Sequence, residues 1–355
     1  MNPQEFNASK VSLGVLGVIS QVHISLVRFM IATSSGCDKK LSFFTLTHGT
    51  GETSLTRFHD SDFGVQALTF GEKHEFADFL LLPSQHKVVY RIDDRVPLNT
   101  SGLFDFFPFR PQLSSALALV RSLGYPVIGR LNRMMSSGAR LDSHQDVLIT
   151  ACPWDPRIKG EFFHQTTLSV PLRHVKEFIN NIKELVKIEP KFLCILEDSN
   201  GILTRYVTSS PAFHGKEEKA LHFDLTYYRS KDDPLVPRLY EDFIEEIELM
   251  AVFKYNALPH WGKNRNIAFN DVIKKYKNAI AFLKVKERFD PLGLFSREWT
   301  DQILGLKGSV TIVKEGCELE GLCIFSEDSQ FLTVLRGYMC RPGKVYREAR
   351  VCTRV

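Results

Sequence analysis

A chain of 355 residues, 44% apolar and 24% charged, has room for a sizeable core and one or two domains, and a net charge of +4 on scattered lysines excludes a face that tracks nucleic acid. No run of eighteen apolar residues is present, so no membrane-spanning helix is written in the sequence. The start, Met1-Asn2-Pro3-Gln4-Glu5-Phe6, lacks the basic segment that opens a signal peptide.

Residues 11–22 are rich in β-branched side chains, with glycines at 14 and 17. They read as a strand whose glycines mark a bulge or a close approach to a ligand. Residues 33–61 are expected to hold one strand, at 41–46, and a loop. From Asp62 to about Phe76 the apolar Val65, Leu68 and Phe76 suggest an amphipathic helix. Strands follow at 79–82 and 88–92, joined at Pro83-Ser84. Phe104, Phe106, Phe107 and Phe109 form a packing cluster ahead of a helix at 113–120, and residues 121–160 show no period.

Residues 162–170 alternate as a strand. Pro171 sits where a helix begins, and Val175, Phe178, Ile179, Ile182, Leu185 and Val186 recur at helical spacing. Strands are expected at 192–196 and 202–207, across the turn Asp198-Ser199-Asn200-Gly201. Leu221, Phe223, Leu225 and Tyr227 alternate with His222, Asp224, Thr226 and Tyr228, the pattern of a half-buried strand. Leu239, Phe243, Ile247 and Met250 mark a further helix. Beyond residue 265, Asn270 is the expected N-cap of a segment that turns Val272, Ile273 and Tyr276 inward and ends at Asp290-Pro291. Strand, helix and antiparallel strands thus occur twice. The expected fold class is α+β, an antiparallel sheet cap covered by helices.

Between those last two helical segments lies Leu258-Pro259-His260-Trp261-Gly262-Lys263-Asn264-Arg265. Pro259 stops the preceding helix. Gly262 is expected to take positive φ or to let the backbone approach a neighbour. An imidazole and an ammonium at one break between helices mark a candidate site; a plain helix–helix turn with Trp261 over the core is the bland alternative.

The cysteines are uneven. Cys37, Cys152 and Cys194 are isolated, whereas Cys317, Cys323, Cys340 and Cys352 crowd the tail. Four cysteines pair in three ways, and the sequence does not choose among them. No CxxC occurs and the tail has no histidine, so no metal site is expected and disulfides lead if the chain meets an oxidising compartment.

His260-Trp261-Gly262-Lys263 resembles the HWGK motif of the aldonolactone oxidoreductases, FAD flavoproteins of the vanillyl-alcohol-oxidase type. Tyr240-Glu241-Asp242-Phe243, Phe253-Lys254-Tyr255-Asn256 and Asp290-Pro291-Leu292-Gly293-Leu294-Phe295 are similar to the plant L-gulonolactone oxidase branch. In this class the last of these forms a β-turn with its phenylalanine buried. The resemblance runs from about Lys10 to the end and covers the C-terminal part of the family's length. It implies FAD-dependent oxidation of an aldono-1,4-lactone toward ascorbate, with oxygen or a cytochrome as electron acceptor. It makes Lys263, Arg205 and His260 the catalytic candidates. Lys263 would meet flavin or substrate oxygens, and Ser12, Gly14, Gly17 and Ile19 would contact the cofactor. In the family a Glu-x-Arg pair faces the substrate; here Arg205 is in place and Leu203 stands at the glutamate position.

Mapped onto the chain, the resemblance implies a remnant strand of a flavin-binding domain at 1–32, an α+β substrate cap at 33–256, the HWGK loop and its helices at 257–310, and a cysteine-containing tail at 311–355. The family's N-terminal flavin-binding portion has no counterpart in these residues, so weak FAD binding is expected of the chain as written. A non-catalytic cap, binding a sugar acid or a protein partner without flavin, is the competing reading. The tail cysteines and the family suggest the secretory pathway or a membrane surface, with two disulfides in the tail.

Overall fold

The computed structural model describes residues 2–21, 53–73, 76–93, 161–193, 202–230, 240–264, 266–308 and 338–354. The expected strand at 41–46, the phenylalanine cluster at 104–109, the helix at 113–120 and the turn at 198–201 lie outside them, as do Cys317 and Cys323.

The first element is helix α1 (Pro3–Ser9), closed by a capping box in which Asn2 accepts from Gln4 N–H and Glu5 from Asn2 N–H. The strand expected from Val11 is absent: residues 11–14 form turns and residues 17–21 take no regular structure. Leu13, Gly14 and Gly17 take φ of +54°, +76° and +133°, and left-handed backbone does not continue a pleated strand. Val15 is fully buried by this path, whereas Ile19 stays 67% exposed.

Strand β1 (Thr53–His59) leads to helix α2 (Phe63–Thr69). Sequence reading missed β1 and ran the helix too far. After a short 3-10 turn at Phe70–Glu72, Phe76 begins strand β2 (Phe76–Leu82), where Phe79 and Leu81 point into the core at the strand period. A turn at Pro83–Gln85, closed by His86 in the left-handed region, returns the chain into strand β3 (Lys87–Asp93). Strand β4 (Glu161–Pro171) runs directly into helix α3 (Leu172–Ile188), and Pro171 forms its N-cap. Phe192 and Leu193 are buried in a turn, not in a strand. Strands β5 (Ile202–Val207) and β6 (Ala220–Ser230) follow where the alternation placed them.

These strands, with the two-residue β7 (Leu258–Pro259), form one antiparallel sheet in the order β1-β3-β2-β5-β6-β4-β7. One face carries Phe79, Leu81, Ile202, Leu221, Phe223 and Leu168, all fully buried beneath α2 and α3. The stripe Val175, Phe178, Ile179, Ile182, Leu185 and Val186 packs there, with Phe178 edge-on to Phe223 at 4.9 Å. Each such side chain contributes roughly 1.5–3 kcal/mol by leaving water. The other face carries Arg205, His222, Asp224, Thr167 and Ser169, which the register places side by side.

Helix α4 (Glu241–Leu249) continues as a π turn over Met250–Lys254. The segment after the loop at 260–264 is not one helix starting at Asn270. It is two 3-10 turns, Asn266–Phe269 and Val272–Lys275, before helix α5 (Ala279–Phe289). Asp271 in the left-handed region separates them. Val272 and Tyr276 nevertheless face inward as expected. Asp290 caps the end of α5: its carboxylate accepts from Leu294 N–H at 2.7 Å, Phe295 N–H at 3.1 Å and the buried Lys286. Phe295, expected to be buried at this turn, is 38% exposed because the capped turn faces outward. Helix α6 (Glu298–Ile303) and the hairpin of strands β8 (Tyr338–Pro342) and β9 (Arg350–Arg354) complete the described chain.

Candidate functional site

The loop at 260–264 is fixed from both sides of the sheet. Leu258 and Pro259 pair with Ser169 and Leu168 of β4, and His260 N–H donates to Thr167 O at 3.1 Å and to Asn264 Oδ1 at 2.9 Å. Asn264 is buried. Its amide donates to Thr166 Oγ1 at 2.8 Å, and Thr166 in turn donates to the buried Glu248 of α4 at 2.9 Å. Lys275 ties the preceding turn down through Val252 O at 2.8 Å and Ala257 O at 3.0 Å. Trp261 lies parallel to Phe269 and Tyr276, each 5.7 Å away, so the indole anchors the loop in a second hydrophobic cluster.

Gly262 plays a different part from the one expected. It has no positive φ, and an added Cβ would meet nothing nearer than His260 at 3.9 Å. Its N–H donates to His260 Nδ1 at 3.1 Å, which leaves Nε2–H as the outward donor of a neutral imidazole.

Lys263 reaches back over the sheet to Asp224, with Nζ 3.3 Å from Oδ1 and the lysine side chain 29% exposed. The same carboxylate oxygen accepts from Thr167 Oγ1. Both bonds fall on Oδ1, so Oδ2 makes no hydrogen bond among the described residues. On the next register pair, Ser169 faces His222 and Arg205 faces His222 from the other side. Ser169 Oγ and His222 Nε2 are buried without partners among the described residues. Burial is the main force that lowers the His222 pKa, to about 3, with the Lys216 cation adding to it, so the ring is neutral at ordinary pH. His260 is lowered by burial first and by Lys263 next. Lys216, on the connection between β5 and β6, is itself lowered to about 8 by burial.

Of the residues singled out in the sequence, Arg205, His260 and Lys263 thus converge. Leu203 is the register partner of Asp224, so a carboxylate stands one strand away from the leucine. Ser12, Gly14 and Gly17 belong to the turn whose Leu13, Val15 and Leu16 pack on the same cluster as Trp261. Val11 O lies 3.3 Å from His214 Nδ1. Ser12 Oγ accepts from Gly14 N–H at 3.3 Å, and Ile19 is exposed. His222, Asp224 and Lys216 were missed as site residues. The alternation of 221–228 did place His222 and Asp224 on one face; which neighbours share it depends on strand register.

Sheet and loop together bring cations, neutral imidazoles and one carboxylate to one face. Comparison with known proteins gives the family. The D-arabinono-1,4-lactone oxidase profile matches residues 66–303, and the chain belongs to that family. The profile described as the C-terminal domain of L-gulonolactone oxidase 2-like proteins matches residues 314–354. The chain is similar to "Probable L-gulonolactone oxidase 1" of Arabidopsis thaliana, 65% identical over 396 residues; the match covers 100% of this chain and 63% of that protein. It is 73% identical over 246 residues to "Probable truncated L-gulonolactone oxidase 7, mitochondrial" of Arabidopsis thaliana, covering 69% of this chain and 97% of that one. Among solved structures, cholesterol oxidase from B. sterolicum aligns with a TM-score of 0.41 and 13% identity, over 71% of this chain and 59% of its own. Among the described residues, no helix is long and apolar enough to cross a membrane.

Proposed function

We propose that the protein oxidises an aldono-1,4-lactone of the L-gulono-1,4-lactone kind toward ascorbate with FAD, and that the face bearing Arg205, His222, Asp224 and Lys263 holds the lactone. The observation that carries this reading is the Lys263–Asp224 contact at 3.3 Å, which joins the loop to the polar face of the sheet. A bound FAD supplies the chemistry of accepting a hydride from the substrate carbon.

The residues present fit such a cofactor. Gly14 and Gly17 have open space where a Cβ would stand, and their turn packs beside Trp261, whose buried Nε1 has no partner among the described residues. Ser12, Gly14 and Gly17 would hold the cofactor's edge through backbone groups, and Lys263 would meet its electron-rich side. The protein's own share is orientation and charge. Lys263 and Arg205 provide fixed cations where negative charge gathers. His260 Nε2–H donates to a substrate oxygen, and His222 Nε2 and Asp224 Oδ2 remain to meet hydroxyls.

The test is anaerobic reduction of the FAD-loaded protein by L-gulono-1,4-lactone, followed by loss of the yellow flavin absorption. Lys263→Met is expected to slow that reduction on the order of 10²–10³-fold, far more than it lowers stability. Retained flavin that the lactone does not bleach, or equal rates in the variant, overturns the reading.

A further inference from the structure

The C-terminal hairpin brings two of the seven cysteines to one cross-strand position: Cys340 is the Cα partner of Cys352. Antiparallel partners alternate between hydrogen-bonded and non-hydrogen-bonded pairs, and the turn fixes the phase. Gly343 N–H donates to Ala349 O at 3.0 Å, which makes the 343·349 pair, and every second pair from it, hydrogen-bonded. The 342·350 and 340·352 pairs therefore fall at the non-hydrogen-bonded sites. Pro342 agrees with this phase, because a residue without an N–H costs nothing where the N–H would point out of the ladder. At such sites Cα atoms stand about 4.5 Å apart, inside the disulfide range of roughly 4.4–6.8 Å.

The tail cysteines pair in three ways on sequence alone, and the backbone register singles out one. We propose that Cys340 and Cys352 are a disulfide site that staples this hairpin. Two thiols lose two protons and two electrons as the S–S bond forms. The oxidant is a disulfide, from glutathione or a protein oxidant, whose own S–S bond breaks to give two thiols.

The staple would lock a clamp. The hairpin turn wraps the fully buried carboxylate of Glu246 on α4, which accepts from Lys344 N–H at 2.7 Å, Val345 N–H at 2.6 Å and Tyr346 N–H at 2.9 Å. Arg341, one residue from Cys340, donates to Asp242 on the same helix at 2.5 Å. Since α4 leads through the π turn to the loop at 260–264, the cross-link fixes the tail against the helix that carries the site.

The experiment is peptide mapping of the whole protein after incubation with glutathione disulfide, alkylation of remaining thiols and proteolysis without reductant. The expected result is one species joining the Cys340 and Cys352 peptides, two hydrogens lighter than their sum and split by reductant. The expected companion result is a lower melting temperature on reduction, a drop that the double variant C340S/C352S does not show. Alkylated thiols at both positions, or either residue joined to Cys317 or Cys323, overturns the proposal. Because the mapping reads the cross-link itself, its failure leaves the lactone reading untouched.

Discussion

His214 shows how one residue's surroundings decide its charge. It sits 2% exposed among Trp261, Tyr276 and Phe282, the last with ring centroids 4.0 Å away. Desolvation lowers its pKa to about 4, against the smaller opposing effect of Val11 O. The folded state keeps the ring neutral while the unfolded chain takes up a proton below its ordinary pKa of about 6.5. Stability from this group is therefore complete above that value and is lost as pH falls toward about 4. Replacing the imidazole with a ring that cannot titrate, His214→Phe, should spare about 2 kcal/mol of the loss that the native protein suffers between pH 7 and pH 5. Urea unfolding at the two pH values measures it; equal losses in both proteins would show that His214 is not buried neutral.

At the scale of elements, what could be read in advance was what depends on local period. The stripe from Val175 to Val186 is a helix over Leu172–Ile188, and the alternation at 221–227 is a strand. The misreadings arose where backbone conformation overrode composition. Leu13 and Gly14 turn left-handed inside a β-branched stretch, and Asp271 does so inside a helical one. Glycines illustrate the limit. Gly262 drew attention from its motif yet has room around it, whereas nothing in the sequence marks Gly71. Its added Cβ would fall on the ring of Tyr206, whose hydroxyl donates to Ala67 O and so clamps β5 over the end of α2. Gly71→Ala is expected to destabilise by about 1–3 kcal/mol through overpacking. Gly262→Ala, with a nearest contact of 3.9 Å, should leave the denaturation midpoint within error of the native one. The opposite order of effects in a denaturant series would refute this account. The site was half legible for a related reason. Lys263, His260 and Arg205 carry motif signals, but Asp224 and His222 join them only through a register that no single strand encodes.

Across the whole molecule, the seven-stranded sheet is two sub-sheets with one joint. Residues 53–93 supply β1, β3 and β2, and residues 161–259 supply β5, β6, β4 and β7; among the described strands only β2 and β5 connect them. The joint pairs Asp78 with Arg205 and Leu81 with Ile202, and Thr204 Oγ1 donates to Phe79 O across 125 positions of sequence. Each sub-sheet forms from nearer neighbours, while the joint must first meet the entropy of closing that long loop. Formation of the joint then sets the pace of folding. Ile202→Ala should slow refolding in stopped-flow measurements, while Val351→Ala in the distant hairpin should chiefly speed unfolding; an unchanged refolding rate for Ile202→Ala would exclude this order. Arg205 lies on the joint itself, beside Asp78 on one strand and His222 on the other. A chain caught before the joint closes would already hold Arg205, His222 and Asp224 side by side on one sub-sheet, with Asp78 not yet beside Arg205 and Phe79 and Leu81 not yet paired with Thr204 and Ile202.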